Sequence, residues 1–95
     1  MEDALFVGLQ QGVLVHRLYL MTGTEILNTS PATWKVTAIN DDYIELLDVT
    51  VQQALPYMVS HLAACTVPHY TTTLRVRKAV VVGIEYVIAY PTNTP

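Results

Sequence analysis

Apolar and polar residues alternate at period two over much of this chain, the spacing that sends successive side chains to opposite faces of a strand. Over Thr33–Ile39, Trp34, Val36 and Ala38 share one face, and Thr33, Lys35 and Thr37 share the other. Residues 13–22, rich in Val, Leu and Tyr, predict an earlier strand, Gly23 a turn, and Thr24–Thr29 a second strand. The run Asn28-Thr29-Ser30-Pro31 then interrupts the ladder, because proline has no N–H to donate. Asn40-Asp41-Asp42 is a turn between Thr33–Ile39 and a following strand at Tyr43–Val51, so those two segments predict a hairpin. The apolar phase changes inside Tyr43–Val51. Ile44 and Leu46 share one face and Val49 and Val51 continue on the other, which predicts a bulge or sharp bend near Leu47-Asp48. Strongly bent strands are what a small barrel needs in order to close.

The flanks are less regular. Residues 2–11 predict a short helix, capped by Asp3, with Leu5 and Leu9 one turn apart and Gly12 at its end. Residues 53–65 predict a short helix or packed excursion, with Pro56 in its first turn and Pro68 beyond its end. Thr71–Val82 and Ile84–Tyr90 predict a last pair of strands turning at Gly83. Leu74 and Val76 oppose Arg75 and Arg77 there, but from Ala79 onward both faces are apolar. A strand that is apolar on both faces is covered on both, and in so small a domain the second cover is another copy. Val80, Val81, Val82, Ile84, Tyr86, Val87 and Ile88 therefore predict an interface between copies, one that Val81→Lys should break. Residues 91–95 read as a frayed tail. The expected fold is a single all-β domain over residues 1–95: a small, strongly bent, five-stranded barrel with a short N-terminal helix.

Composition sharpens the expectation of self-assembly. Of 95 residues, 52% are hydrophobic and 14% charged, against ~25% charged in an average soluble domain. A chain this short buries a small share of its surface, so the apolar surplus needs an interface, a cavity or a membrane. The apolar runs are broken by His16 and Arg17 and by Glu85, short of the ~20 clean residues of a spanning helix. Glu2 and Asp3 make the start acidic where a secretory signal needs a basic segment, and one cysteine, Cys65, forms no disulfide framework. The expected setting is cytoplasmic.

The order of a short helix, about five strands, a bent middle strand and a glycine near the last turn resembles the Sm-like (Sm/LSm) family. Two stretches carry the resemblance. Leu18 to Gly23 followed by Trp34 to Asp48 looks like that family's first motif, and Arg77 to Tyr90 like its second. The resemblance implies a ring in which the fourth strand of one subunit pairs with the fifth of its neighbour, and a hairpin turn that holds an RNA base. The chain also departs from the pattern. Tyr43 stands where the family's turn has Asn, and Val82 where its second motif has Arg before glycine.

The candidate chemistry is that of binding. Asn40, Asp41 and Tyr43 in the turn, the basic cluster Arg75, Arg77 and Lys78, and Gly83 are the residues expected to contact RNA, with Tyr43 stacking on a base and the cations touching phosphate. An ordinary polar turn and a solvated charged face are the competing readings. His61, Cys65 and His69 stand at four-residue spacing, but Pro68 intervenes and no fourth ligand is evident, so they predict packing residues and no metal site. The net charge of −3, with only five Lys and Arg, argues against broad nucleic-acid binding by one copy. The expected protein is a non-enzymatic, homo-oligomeric ring that binds RNA through repeated weak sites and needs no cofactor. The alternative is an assembly or scaffold protein, of phage type, with no RNA site.

Overall fold

Residues Leu14–Thr22, rich in Leu, Val and Tyr, form the longest strand, β1. The computed structural model describes residues 2–50, 60–69 and 72–87. Five further strands follow: β2 (Glu25–Asn28), β3 (Trp34–Ile39), β4 (Tyr43–Asp48), β5 (Leu74–Arg77) and β6 (Val81–Tyr86). Every pairing is antiparallel. Gly23, at φ +64°, gives the β1–β2 turn the left-handed backbone it needs.

β1 pairs along one edge with β6, from Val15 opposite Tyr86 to Leu20 opposite Val81. Its other edge serves two partners in succession, β2 at Tyr19–Thr22 and β3 at Leu14 and Val15. Between them, Thr29 N–H donates to Leu18 O (3.1 Å) and Ala32 N–H to His16 O (3.2 Å). β2 and β3 therefore run as one line of chain along β1, interrupted at Ser30-Pro31 as expected from the proline. The sheet has five strand positions, in the order β6, β1, β2 with β3, β4, β5. It curls into an antiparallel half-barrel, and the molecule is mainly β.

The curl comes from three bulges, each leaving a three-residue gap between inward side chains where a flat strand would leave two. In β1 the pairing shifts between Val15 and Arg17, so the inward residues are Val15, Leu18 and Leu20. In β3 it shifts between Val36 and Ala38, and the core-facing set is Trp34, Val36 and Ile39. In β6, Val81 pairs with Leu20 and Gly83 with Tyr19, leaving Val82 unmatched between them. The bend expected at Leu47-Asp48 is not there. β4 alternates without a break through Asp48, which is buried. The phase change after it marks the end of the strand, where Asp48 Oδ1 accepts from Thr50 N (2.8 Å) and Thr50 Oγ1 (2.7 Å).

The last two strands also differ from expectation. β5 stops at Arg77, a 3-10 turn at Lys78–Val80 makes the link, and Gly83 lies inside β6. Gly83 sits opposite Tyr19, where a Cβ would come within 3.3 Å of the ring carbon Cδ2. The missing side chain makes room for an aromatic ring across the strand, not for a turn. The N-terminal segment folds as a 3-10 turn, Glu2–Phe6, in place of a longer helix. Of the segment 53–65, residues 60–65 are described. They end in a 3-10 turn, Ala63–Cys65, and bury Leu62 and Cys65 in the core. Residues 53–59 and the tail 91–95 lie outside the described residues.

Thr29 is fully buried, and its Oγ1 accepts from Leu18 N–H (3.0 Å) while its own N–H serves Leu18 O. Thr29→Val keeps the shape and orphans a buried N–H. The expected loss in urea unfolding is about 1–3 kcal/mol; an unchanged midpoint would show that β1 does not depend on this bond.

Candidate nucleic-acid interface

The turn between β3 and β4 is held by its own first residue. Asn40 Oδ1 accepts from Asp42 N (2.8 Å) and Tyr43 N (3.0 Å), and Asn40 N–H donates to Tyr43 O (3.1 Å). The side-chain carbonyl of Asn40 is thus occupied within the turn, a local arrangement typical of Asn. Asp41 and Asp42 are exposed. The β4–β5 register puts Tyr43 opposite Arg77, and Lys78 N–H donates to Asp42 O (2.9 Å). The turn and the basic segment, more than thirty residues apart in sequence, therefore meet. They line an open depression of about 400 Å³ walled by Asp41, Asp42, Tyr43, Val67, Arg77 and Ala79.

The basic residues are not equivalent. Arg75 donates through Nε to Glu45 Oε2 (3.0 Å) and lays its guanidinium 4.8 Å from the centre of the Tyr43 ring. Glu45 Oε1 also accepts from Thr37 Oγ1 (2.9 Å). Burial works against the Glu45 carboxylate, but the hydrogen bonds from Arg75 and Thr37 and the Arg75 charge outweigh it and hold its pKa below the usual range. Arg75 is therefore committed to Glu45 and backs Tyr43, the side chain that lines the depression. Lys78 stands 4.7 Å from the centre of the Phe6 ring. Arg77 is exposed, and among the described residues no carboxylate lies within ion-pair distance of it.

Gly83 is not part of this site; it belongs to β6, against Tyr19. The expected interface residues also divide. Val81 is 6% exposed and packs in the core, and Val80 and Ile84 pack against that core, because β6 turns one face inward. Val82, at 50% exposed, and Tyr86 face outward, Val87 is half-buried, and Ile88 lies outside the described residues. A charge at Val81 would thus damage the core of each copy. Among the described residues, no strand pairs with the outer edge of β6. The outer edge of β5 is met by Thr66, which bridges to Val76, and by Val67 N–H, which donates to Arg75 O (2.9 Å). Val67 reaches the depression through that bridge, and nothing in its local sequence signals the placement.

A second polar cluster escaped sequence reading. Glu85 Oε1 accepts from Tyr19 OH (2.7 Å), and Glu85 Oε2 lies 3.1 Å from His16 Nδ1. Arg17 Nε, buried, lies 3.2 Å from Oε1 but out of line for a hydrogen bond. The β1 bulge explains the grouping, since it brings the consecutive residues His16 and Arg17 to one carboxylate on β6. The Tyr19 hydrogen bond, then that of His16, hold the Glu85 pKa low, and the same Tyr19–Glu85 bond raises the Tyr19 pKa.

The His61, Cys65 and His69 series does not converge. His61 is at the surface and Cys65 is fully buried, with its thiol pKa pushed up by burial. The His69 ring nitrogens lie 3.1 Å from Val67 O and 3.0 Å from Thr73 Oγ1. Among the described residues no three potential metal ligands come together, and no helix is long and apolar enough to cross a membrane. Comparison with family models, with curated proteins and with solved structures finds no match to this chain.

A carboxylate whose pKa is lowered by folding stabilises the fold above its ordinary value, 4.5 here, and the contribution is lost as pH falls through the folded value. Stability should therefore fall on acidification below about pH 5. Glu45→Gln should lower the urea midpoint at neutral pH and flatten its acid limb. Parallel wild-type and variant curves would contradict the assignment.

Proposed function

We propose that the chain is a non-enzymatic, self-assembling β-barrel of Sm type, in a cytoplasmic setting, whose copies form a ring and bind RNA or single-stranded nucleic acid through repeated weak sites. The observation that carries the reading is the meeting of the β3–β4 turn with the end of β5, where Asp41, Asp42, Tyr43 and Arg77 line one depression. An aromatic ring backed by a guanidinium stacks on any base, and a cation beside it meets phosphate. One copy offers few such contacts, so affinity depends on repetition: once one site is filled, the others act at high effective concentration.

Self-assembly draws its support from the shape of the sheet. β5 and β6 stand at opposite ends of the strand order and are joined only by the Lys78–Val80 turn. An unpaired strand edge carrying an outward valine is a template for another chain; among the described residues nothing pairs with the outer edge of β6, where Val82 is exposed. The second reading, an assembly or scaffold protein without an RNA site, has an observation in its favour too. Arg17 and Arg75 are already matched to Glu85 and Glu45, which leaves the net charge of −3 with few uncommitted cations.

Light scattering coupled to size exclusion, with and without a short single-stranded RNA, separates the two. The reading expects a discrete oligomer that shifts on RNA binding and loses RNA steeply with salt. An oligomer that ignores RNA selects the scaffold, and a monomer at all concentrations overturns both. Val82→Lys should yield a folded monomer, whereas Val81→Lys should lower stability by putting a charge in the core. A Val82→Lys oligomer of unchanged size would move the contact away from β6.

A further inference from the structure

We propose that the depression at the β3–β4 turn selects a base with amino donors on its pairing edge, guanine above uracil. This rests on the reading of the site as an RNA interface and names what that site prefers.

The polar groups that face the depression set the preference. The Asn40 side-chain carbonyl is taken up by two backbone N–H groups, and the Asp42 carbonyl by Lys78 N–H. Among the residues that line it, Asp41 and Asp42 bring carboxylates that can only accept, Arg77 a guanidinium that can only donate, and Tyr43 a hydroxyl that can do either. An ionised carboxylate accepts only, through two oxygens side by side. Guanine presents two adjacent donors on its pairing edge, N1–H and the N2 amino group, which one carboxylate can accept together. Uracil presents a single N–H flanked by two carbonyl oxygens, and a carboxylate repels both. Adenine and cytosine fall between, each with one amino group next to a ring acceptor. Arg77 can donate to the O6 or N7 acceptors of guanine or to a phosphate. Tyr43 supplies the stacking face, and Val67 and Ala79 the apolar wall. A volume of about 400 Å³ is in the range of small-ligand clefts. The site is therefore a mixed one, and the two acidic residues read the base only because an aromatic ring and a cation hold it there.

The same geometry explains why adjacent acidic residues are compatible with RNA. In the proposed complex they meet a base edge while Arg77, exposed on the neighbouring strand end, supplies the positive charge beside them.

The test is fluorescence anisotropy of the full-length chain with three labelled hexanucleotides. All are uridine except at one central position, which carries guanosine, inosine or uridine. Guanosine should bind about tenfold more tightly than uridine, with inosine, which keeps N1–H and lacks the N2 amino group, in between. Asp41→Asn or Asp42→Asn, at exposed positions that keep the turn, should bring the guanosine-to-uridine ratio towards one. Equal affinity for all three oligonucleotides would overturn the base preference while leaving RNA binding in place. A preference that survives both variants would overturn the role of the carboxylates. No binding to any of the three would overturn both this inference and the RNA reading.

Discussion

β1 is shared by three other strands, and its dual duty is the constraint on which the rest of the molecule depends. One edge must serve β6, the other must serve β2 and β3 in turn, and its inward face must stay apolar throughout. Val15, Leu18 and Leu20 meet that last demand with full burial. A regular strand with this sequence would carry Val15 inward and Leu18 outward, because period two cannot bridge a gap of three. The bulge at His16 resolves the conflict. It also twists the strand, which allows the sheet to curl, and it brings His16 and Arg17 to the same Glu85 carboxylate. One extra residue thus shapes the core and assembles the outer polar cluster.

The curl has a consequence at the other end of the sheet. β4 and β5 extend away from β1, and the short Lys78–Val80 turn returns the chain to β6 on the far side. The Asn40–Tyr43 turn and the Arg77 end of β5 are neighbours because β4 and β5 pair over Tyr43 and Arg77. The candidate site is a product of strand register, and the edge proposed for self-assembly belongs to the strand that follows it.

Much of this was legible in the chain. The strands at 34–39 and 43–48 follow from alternation, that at 14–22 from its Val, Leu and Tyr content, that at 25–28 from its place between Gly23 and the break at Ser30-Pro31, and the turns at Gly23 and Asn40-Asp41-Asp42 from residue type. The bulges were legible in principle as the spacings Val15 to Leu18, Val36 to Ile39 and Val81 to Ile84. The expected bend fell on Leu47-Asp48 because Val49 and Val51 were read as strand, although Asp48 caps the strand end. Gly83 was misplaced for a different reason. A glycine signals either a turn or a close approach, and its partner Tyr19 lies 64 positions away in sequence, beyond any local pattern. Both halves of the candidate site were visible as a polar turn and a basic cluster. Their meeting, the commitment of Arg75 to Glu45 and the arrival of Val67 depend on long-range pairing that no local rule encodes.

In the proposed assembly, another copy of the chain completes the curled sheet along β6. Amide hydrogen exchange at two protein concentrations tests this strand by strand. The β6 amides that do not face β1 should exchange slowly at high concentration and speed up on dilution, while those of β1 and β4 keep their rates. Outward β6 amides that exchange fast at every concentration would contradict the claim, because no partner would then be paired with that edge.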